Sequence, residues 1–380
     1  VVGTPQLTLE TGASDAVVNY TSGTGTNELT FNYTVASGHT SSDLAYTSTS
    51  ALVLNSGTIK DLVGNPSTLT LPAVGQTNSL SANKDLIIDT TVPTVTNVTS
   101  TSNDGSYKIG DVIPVTVTFS EVVNVVTTGG TPQLTLETGS NDAVVNYTTG
   151  TGTNTLTFNY TVVEGHTSTD LNYVATSSLA LNSGTIKDAA TNDATLTLPA
   201  IDNASSLAGN KALVIDGVTP TITSVTSTSN DGSYMIGDVV PITVTFSEVV
   251  NVVTTGGTPT LTLETGSNDA AVSYTSGTGT NTLTFNYTVS EGESSSDLDY
   301  VSTSALGLNN GTIKDASGNN ATLTLAAPGA ANSLGNAKAI VVDGIRATVT
   351  SVTSTVADNN YDIGEVIPIV VNFSEVVTVT

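Results

Sequence analysis

Carboxylate and amide side chains recur at regular positions along this chain of 380 residues, and together they offer the oxygen atoms that a hard cation requires. Calcium takes several oxygen ligands from carboxylates and carbonyls in a flexible geometry. The recurring positions are Asp61, Asp188 and Asp315; Asn65, Asn192 and Asn319; Asp89, Asp216 and Asp343; and Asp104, Asp231 and Asp358. If the first and third sets converge at one pole of a domain, a bound calcium ion would neutralise their repulsion and fix the angle between neighbouring domains. The alternative is that these residues form turns, as Asp and Asn most often do, and no EF-hand or GGxGxD pattern decides between the two.

Acid–base chemistry is the second type of reaction that recurring residues could perform. Two sets of glutamates could pair as in a glycosidase: Glu10, Glu137 and Glu264, and Glu121, Glu248 and Glu375. We place both sets at the ends of outward strand faces, where a solvated carboxylate is the commoner outcome. His39 and His166 occupy equivalent positions, but Glu293 replaces them in the third copy, so a hydrolase triad in every repeat is excluded. The sequence therefore predicts a protein that is not an enzyme.

The composition excludes several classes of partner. The chain has 8 basic and 33 acidic residues, a formal charge of −25, whereas a nucleic-acid groove must supply Lys and Arg to phosphates. The same balance argues against docking on an anionic membrane surface. No apolar run approaches the length of a membrane span, so we expect no membrane insertion in this segment. The chain has no cysteine, which excludes disulfides and thiolate chemistry.

One stretch, from residue 106 to residue 123, marks a repeat that covers the whole chain. It reads SYKIGDVIPVTVTFSEVV, and it returns as SYMIGDVVPITVTFSEVV and as NYDIGEVIPIVVNFSEVV. Phe119, Phe246 and Phe373 are 127 positions apart in each step. A unit of this size buries its own core, so we expect a string of similar domains with a 127-residue repeat.

The pattern within one repeat is typical of an all-β fold. Apolar and polar residues alternate along short segments, as at Leu156, Phe158, Tyr160 and Val162, and Gly- or Asn-rich turns separate the segments. About nine short strands with turns every 8–12 residues favour a β-sandwich. No window has helical periodicity, and a helix between residues 164 and 170 would be short at best. We also expect strands at residues 171–173 and 196–198.

The repeat phase predicts four segments. Residues 1–89 form an incomplete repeat that lacks its first two strands, residues 90–216 and 217–343 form complete repeats, and residues 344–380 supply the first two strands of a further one. Pro93 and Pro220 stiffen two of the joints because proline fixes φ. The joints are a few residues long, which favours a fixed angle between neighbours.

Three motifs carry a resemblance to a known family. They are Y-x-I-G-D-x-I-P-x-x-V-x-F-S-E-x-V, G-T-P-x-L-x-L-E-T-G and G-T-I-K-D-x-x-G-N. The chain resembles the bacterial immunoglobulin-like repeats of giant surface proteins, including large secreted adhesins and swimming-motility surface proteins. The resemblance covers the whole chain. It implies tandem immunoglobulin-like β-sandwich domains in an extracellular stalk or secreted filament at the bacterial cell surface, in which many relatives bind calcium at domain junctions.

Two questions about function stay open at this point. The first is whether the repeats only extend a stalk or filament, or form an adhesive or carbohydrate-binding module that contacts ligand itself. The second concerns the partial repeats at both ends: Val1 lies inside a repeat, so the chain is either an excerpt of a longer array or a chain whose copies join head to tail by strand donation. The expected partners are therefore neighbouring repeats or copies of the same protein.

Overall fold

The computed structural model describes residues 1–201 and 203–380, and the chain divides into two compact units. One unit comprises residues 1–106 and 110–215, and the other comprises residues 107–109 and 216–380. With 3% helix and 41% strand, the protein is all-β, as the alternation predicts. No helix among the described residues has the length and apolar character needed to cross a membrane.

Short strands make up the first part of the chain, with two one-turn helices among them. The strands are β1 Gln6–Glu10, β2 Ala16–Ser22, β3 Thr30–Phe31, β4 Ala45–Tyr46, β5 Leu52–Val53, β6 Val95–Ser100, β7 Gly105–Lys108, β8 Val112–Val126, β9 Gln133–Leu136, β10 Ala143–Thr149, β11 Thr153–Thr161, β12 Thr167–Ser168, β13 Leu179–Ala180, β14 Thr185–Lys187 and β15 Leu213–Asp216. The helices are α1 Leu80–Asn83 and α2 Leu207–Asn210.

The second part of the chain repeats this order and ends in a hairpin. The strands are β16 Ile222–Ser227, β17 Gly232–Met235, β18 Val239–Val253, β19 Thr260–Leu263, β20 Ala270–Ser276, β21 Thr280–Thr288, β22 Ser294–Ser295, β23 Leu306–Gly307, β24 Thr312–Lys314, β25 Ile340–Asp343, β26 Val349–Ser354 and β27 Ile369–Phe373. The helix is α3 Leu334–Ala337.

Each complete repeat has one large curled sheet and one small sheet, which is a sandwich-like arrangement. In the first unit the large sheet has the order β13-β9-β10-β11-β8-β14, with β6 also paired to β8, and the small sheet has the order β12-β15-β7. In the second unit the orders are β16-β18-β21-β20-β19-β23, with β24 on β18, and β17-β25-β22. The pairs within both large sheets are antiparallel, whereas β17 and β25 of a small sheet run parallel.

The long strands β8 and β18 hold each large sheet together. The first part of β8 pairs with β6 on one side and β11 on the other, and its last three residues pair with β14. The residues that alternate along β8 with inward orientation, Ile113, Val115, Val117 and Phe119, are fully buried. The repeated stretch from residue 106 to residue 123 is therefore the centre of the core, except that the turn at residues 109–110 separates its first residues into β7.

Two expectations about local structure were wrong. Residues 171–173 and 196–198 are not strands, although Leu171, Tyr173 and Leu198 are buried. Three helices of one turn were not predicted, because a single turn is too short to show a 3.6-residue period. Each begins after a serine cap, for example Ser206, whose Oγ accepts a hydrogen bond from the Gly209 amide at 3.1 Å. In α2 and α3 the first residue, Leu207 or Leu334, is fully buried.

The segments at the two ends have smaller sheets. Strands β1 to β5 form one sheet of the first unit, in the order β3-β2-β1-β4 with β5 on β1. Strands β26 and β27 form a two-stranded sheet of the second unit.

Candidate metal centre

A tight loop after β14 carries the first group of predicted ligands. The Asp188 carboxylate, which is 4% exposed, accepts hydrogen bonds from the Asn192 backbone at 2.8 Å and from the Asn192 side-chain amide at 2.7 Å. The loop is closed by the Asp188 amide, which donates to the Asn192 carbonyl oxygen at 3.2 Å. Thr191 has a φ of +75°, in the left-handed region. The equivalent residue of the later copy is Gly318, which also has a positive φ. The four-residue spacing of Asp and Asn therefore builds a rigid loop that holds the carboxylate in place.

The same asparagine ties this loop to the end of the preceding repeat. Asn192 Nδ2 donates to the backbone carbonyl oxygen of Asp89 at 3.1 Å. In the second unit, Asn319 Nδ2 makes the equivalent bond to the Asp216 carbonyl oxygen at 2.9 Å. There Ser317 adds a bond from its hydroxyl to Asp216 Oδ2 at 2.7 Å. The Nδ2 atoms of Asn192 and Asn319 therefore clamp the loop to the joint.

A glutamate completes an acidic cluster at each of these joints. One carboxylate oxygen from each of Asp89, Glu121 and Asp188 lies within 4.8 Å of the other two, and Asp216, Glu248 and Asp315 form the equivalent cluster in the second unit. Both glutamates lie where the sheet ladder is interrupted. On β8 the pairing with β11 moves from Thr118 to Val123, while on β11 it moves only from Thr155 to Thr153. Such bulges re-aim side chains.

The glutamates are electrostatically unsatisfied. Oε1 of Glu121 and Oε1 of Glu248 are buried and have no hydrogen-bond partner among the described residues. The pKa of Glu121 is raised above its ordinary value. Burial is the largest cause, followed by the charges of Asp89 and Asp188. Burial and the charges of Asp216 and Asp315 raise the pKa of Glu248 in the same way. A buried acceptor without a donor costs free energy, so a cation placed among the three carboxylates would relieve both the desolvation and the repulsion.

The donor set fits calcium. It consists entirely of carboxylate oxygens, which Ca²⁺ prefers, and carboxylates can bind in a bidentate manner to raise the coordination number. Zinc and other metals that select imidazole or thiolate have no such ligand in these clusters. Asp89, Glu121 and Asp188 would hold one ion and Asp216, Glu248 and Asp315 a second, with the clamping asparagines fixing the loop aspartates.

The equivalent loop near the chain's beginning is built in the same way but is solvated. Asp61 accepts hydrogen bonds from the Asn65 side chain at 2.7 Å and from the Asn65 amide at 2.8 Å. These two bonds are the largest causes of a pKa of Asp61 below its ordinary value. Asp61 is exposed and belongs to neither acidic cluster among the described residues.

The remaining predicted ligands lie elsewhere. Asp104 and Asp231 each accept one backbone hydrogen bond, from Ala212 and Ala339 respectively, both at 3.1 Å, so they join a turn to the last strand of the repeat. Asp343 accepts from the Ile345 amide at 3.2 Å, and Asp358 is exposed between β26 and β27. The structure therefore brings together the joint and loop aspartates and leaves the turn aspartates outside the clusters.

Glu121 and Glu248 were absent from the predicted ligand set, although the sequence contained a signal for them. That signal is their recurrence at the 127-residue period, since the interruption of the ladder between Thr118 and Val123 prevents alternation from reporting which way Glu121 faces. The expectation that these glutamates are solvated on an outward face was wrong. Of the other glutamate set, Glu137 Oε1 accepts a hydrogen bond from the Gly139 amide at 3.1 Å, which stabilises a turn.

The two histidines take part in structural contacts. His166 stacks on Tyr160 with ring centroids 5.7 Å apart, and its Nδ1 shares a hydrogen bond of 3.0 Å with the tyrosine hydroxyl. His39 and Tyr33 repeat this arrangement at 2.9 Å. In the second unit the Tyr287 hydroxyl donates instead to Glu293 Oε2 at 2.7 Å.

No protein-family profile matches the chain, and no curated protein sequence matches it. Among solved structures, it is similar to a DUF4785 family protein from Legionella pneumophila, with 10% sequence identity and a TM-score of 0.18. That similarity covers 54% of this chain and 50% of the other, so the chain spans half the length of that structure.

Proposed function

We propose that this chain is a non-enzymatic structural segment, a stalk or filament of tandem immunoglobulin-like domains in an extracellular bacterial surface protein or adhesin, with joints stiffened by calcium. The observation that carries the proposal is the acidic cluster that forms at both joints, each with a buried glutamate oxygen that lacks a hydrogen-bond partner among the described residues. The resemblance of the repeat motifs supports the extracellular location. The formal charge of −25 and the small number of basic residues support a partner other than nucleic acid.

The sheets suit a mechanical role. In each unit a long central strand, β8 or β18, makes a backbone ladder with neighbours on both sides, and its apolar residues are fully buried. Pulling on such a domain must break many backbone hydrogen bonds and expose the core together. Equivalent units in series would then each resist the same applied force, and this role requires no chemical reaction.

The joints suit stiffening by a cation. Each cluster combines an aspartate at the end of one repeat with a glutamate and an aspartate of the next repeat, for example Asp89 with Glu121 and Asp188. An ion bound by all three would link the two segments directly. Without the ion, the same carboxylates repel each other and weaken the joint.

Force spectroscopy on the full chain tests this proposal. We expect sawtooth unfolding in which the complete repeats release roughly 400 Å of chain each, at forces that rise when Ca²⁺ replaces EDTA. A control with Glu121→Gln and Glu248→Gln should keep the same release lengths but lose the response to calcium. Extension without discrete unfolding events would contradict the mechanical role.

The second candidate, an adhesive or carbohydrate-binding module, is favoured by one feature. A depression of about 530 Å³ lies over the β10–β11 face and is lined by polar groups including Asn146, Asn159 and His166. Amide and imidazole groups of this type can hydrogen-bond sugar hydroxyls. A glycan array probed with the full chain tests this candidate. Binding that is lost in Asn146→Ala would support it, and silence across the array would leave the structural role alone.

A further inference from the structure

The large sheet of the first unit splits between β10 and β11. The first half of β10 pairs with β9, and only its second half pairs with β11. The ladder between β10 and β11 ends at the pair of Tyr147 with Phe158, while β11 continues along β8 as far as Thr161. A cleft therefore lies between residues 143–146 of β10 and residues 159–161 of β11. This β10–β11 cleft has a volume of about 530 Å³.

The backbone of β10 directs hydrogen-bonding groups into the cleft. Thr135 on β9 lies opposite Val144. The Thr135 amide donates to the Ser178 carbonyl oxygen, and its own carbonyl oxygen accepts from the Val174 amide, so both groups point away from β10. Opposite residues of an antiparallel pair either bond to each other or both point outward. The N–H and C=O groups of Val144, and those of Asn146 two residues on, therefore face the cleft.

The facing edge of β11 presents the same groups. The Val162 amide donates to the Asp111 carbonyl oxygen at 3.0 Å, so the backbone of Val162 points toward the β8 side. Because the direction alternates along a strand, the N–H and C=O groups of Thr161 and Asn159 point the other way, into the cleft. The Asn159 amide agrees with this direction, since it donates to Thr148 Oγ1 on β10 at 3.4 Å.

The backbone of another extended chain is the complement of these two edges. The groups that face the cleft recur every two residues, about 6.6 Å along each strand, which is also the repeat of an added strand. In strand addition, main-chain hydrogen bonds supply affinity and alternate side chains supply specificity. Proteins usually cover or charge an open strand edge, but Val144 and Val163, which line this cleft, are 58% and 46% exposed. The cleft therefore also offers apolar contacts to an added strand.

The charge at the open end of the cleft indicates the chemistry of the partner. Because β10 and β11 diverge from the pair of Tyr147 with Phe158, Asp142 and Val163 lie at the open end. Glu164 follows Val163 and is exposed. No Lys or Arg is among the described residues that line the cleft, and the whole chain has a formal charge of −25. Charge complementarity favours a basic segment and disfavours a second copy of this acidic chain.

We propose that the β10–β11 cleft binds an extended, basic segment of a partner polypeptide by strand addition. Apolar side chains of the segment contact Val144 and Val163, and a Lys or Arg of the segment lies beside Asp142. This binding function goes beyond a structural stalk. It uses none of the residues of the two acidic clusters, so it does not depend on calcium at the joints.

The second unit contains a natural variant of this cleft. Strands β20 and β21 diverge in the same way, because the first half of β20 pairs with β19 and only its second half pairs with β21. Ala271 and Ser290 stand at the positions of Val144 and Val163. The second cleft thus offers the same backbone groups with fewer apolar contacts, and we expect it to bind the same segment more weakly.

Methyl NMR of the full chain with labelled valine tests where a segment binds. The probes are peptides of the form Lys-x-Thr-x-Thr-x-Lys, in which x is Ala, Val or Leu. We expect the Val144 and Val163 signals to shift and saturate with a Kd below about 1 mM. Peptides with methylated backbone nitrogens should not bind, because they cannot donate the ladder hydrogen bonds. Peptides with Glu in place of both Lys residues should bind more weakly.

Calorimetric titration of variants tests which side chains matter. Val144→Ala with Val163→Ser copies the second cleft and should weaken binding at least about tenfold, because it removes apolar contact area. The converse change, Ala271→Val with Ser290→Val, should add a second site of similar affinity. The matched control is Val122→Ala, an exposed valine of β8 outside the cleft, and this variant should bind like the parent chain.

Three results would overturn the proposal. The first is that the Val144 and Val163 signals stay fixed with every peptide of the set. The second is that the methylated peptides bind as well as the others, which would show that no backbone ladder forms. The third is that these signals respond to oligosaccharides and to none of the peptides, which would assign the cleft to carbohydrate. Titrations in EDTA keep all three readouts separate from calcium at the joints.

Discussion

The side-chain amide of Asn192 donates to the backbone carbonyl oxygen of Asp89 across 3.1 Å, although 103 residues separate them. The same amide also donates to Asp188 Oδ2 at 2.7 Å. One asparagine thereby fixes the loop aspartate and the end of the preceding repeat relative to each other. Asn319 makes the same pair of bonds with Asp216 and Asp315 in the second unit.

Removing this clamp should destabilise the joint. In Asn192→Ala the Asp188 carboxylate loses the hydrogen bond from the side-chain amide, while residue 188 remains almost fully buried, and a buried acceptor that loses its donor costs about 1–3 kcal/mol. We expect the free energy of unfolding to fall by about that amount in urea titrations followed by circular dichroism. Asn65→Ala is the matched control, because Asp61 is exposed and water can replace the lost bond. An equal loss in both variants would contradict the clamp.

The cluster glutamates, each with one buried carboxylate oxygen, should make the cation-free protein less stable as the pH rises. The pKa of Glu121 and that of Glu248 are raised above the ordinary value of 4.5, so in this range the folded state binds more protons than the unfolded state. Their contribution to stability is therefore present below pH 4.5 and is lost as the pH rises through the folded pKa. Asp61, whose pKa is lowered, contributes in the opposite direction.

Glu121→Gln with Glu248→Gln isolates this effect. In EDTA at neutral pH the double variant should melt at a higher temperature than the parent chain, because a repelling charge is removed from each cluster. Glu10→Gln with Glu137→Gln is the control, since those glutamates are exposed and accept turn amides. A lower melting temperature for the first variant in EDTA would show that the carboxylates do not repel each other.

The pairing of His166 with Tyr160 should lower the free energy of unfolding in mild acid. Burial lowers the pKa of His166 below its ordinary value of 6.5, so the unfolded state takes up a proton first. Stability is therefore lost as the pH falls from about 6.5 through the folded pKa. His166→Glu copies the Tyr287–Glu293 pair of the second unit and should remove this loss. Urea titrations between pH 5 and 7.5 measure it, and an unchanged pH profile would contradict the assignment.

A close backbone approach makes Gly257 irreplaceable. A Cβ at this position would stand 1.8 Å from the Asn309 carbonyl oxygen, and Gly130 has the same relationship to Asn182. Gly257→Ala must displace one backbone or the other, and we expect a loss of about 1–3 kcal/mol or more. Gly307→Ala is the control, because its nearest atom is 4.0 Å away and Ala180 stands at the equivalent position. Equal thermal stability of both variants would contradict this steric argument.

Alternation predicted the core strands well, because burial on one side of a sheet imposes a two-residue period on residues such as Ile113, Val115 and Val117. It could not predict α2, in which one serine cap and one buried leucine suffice for a single turn. The joint and loop aspartates were recognised by their recurrence. Glu121 was missed because its role depends on a bulge in β8 and on contacts with residues 32 and 67 positions away, which no local pattern reports.

Differential scanning calorimetry of the full chain in Ca²⁺ and in EDTA tests the central claim most directly. A ligand that binds only the folded state at 100 times its Kd adds about 2.7 kcal/mol per site. We therefore predict that calcium raises the melting temperature by roughly 5–15 °C, and that Glu121→Gln with Glu248→Gln abolishes most of this rise. Melting curves of the parent chain that are identical in Ca²⁺ and in EDTA would contradict the account.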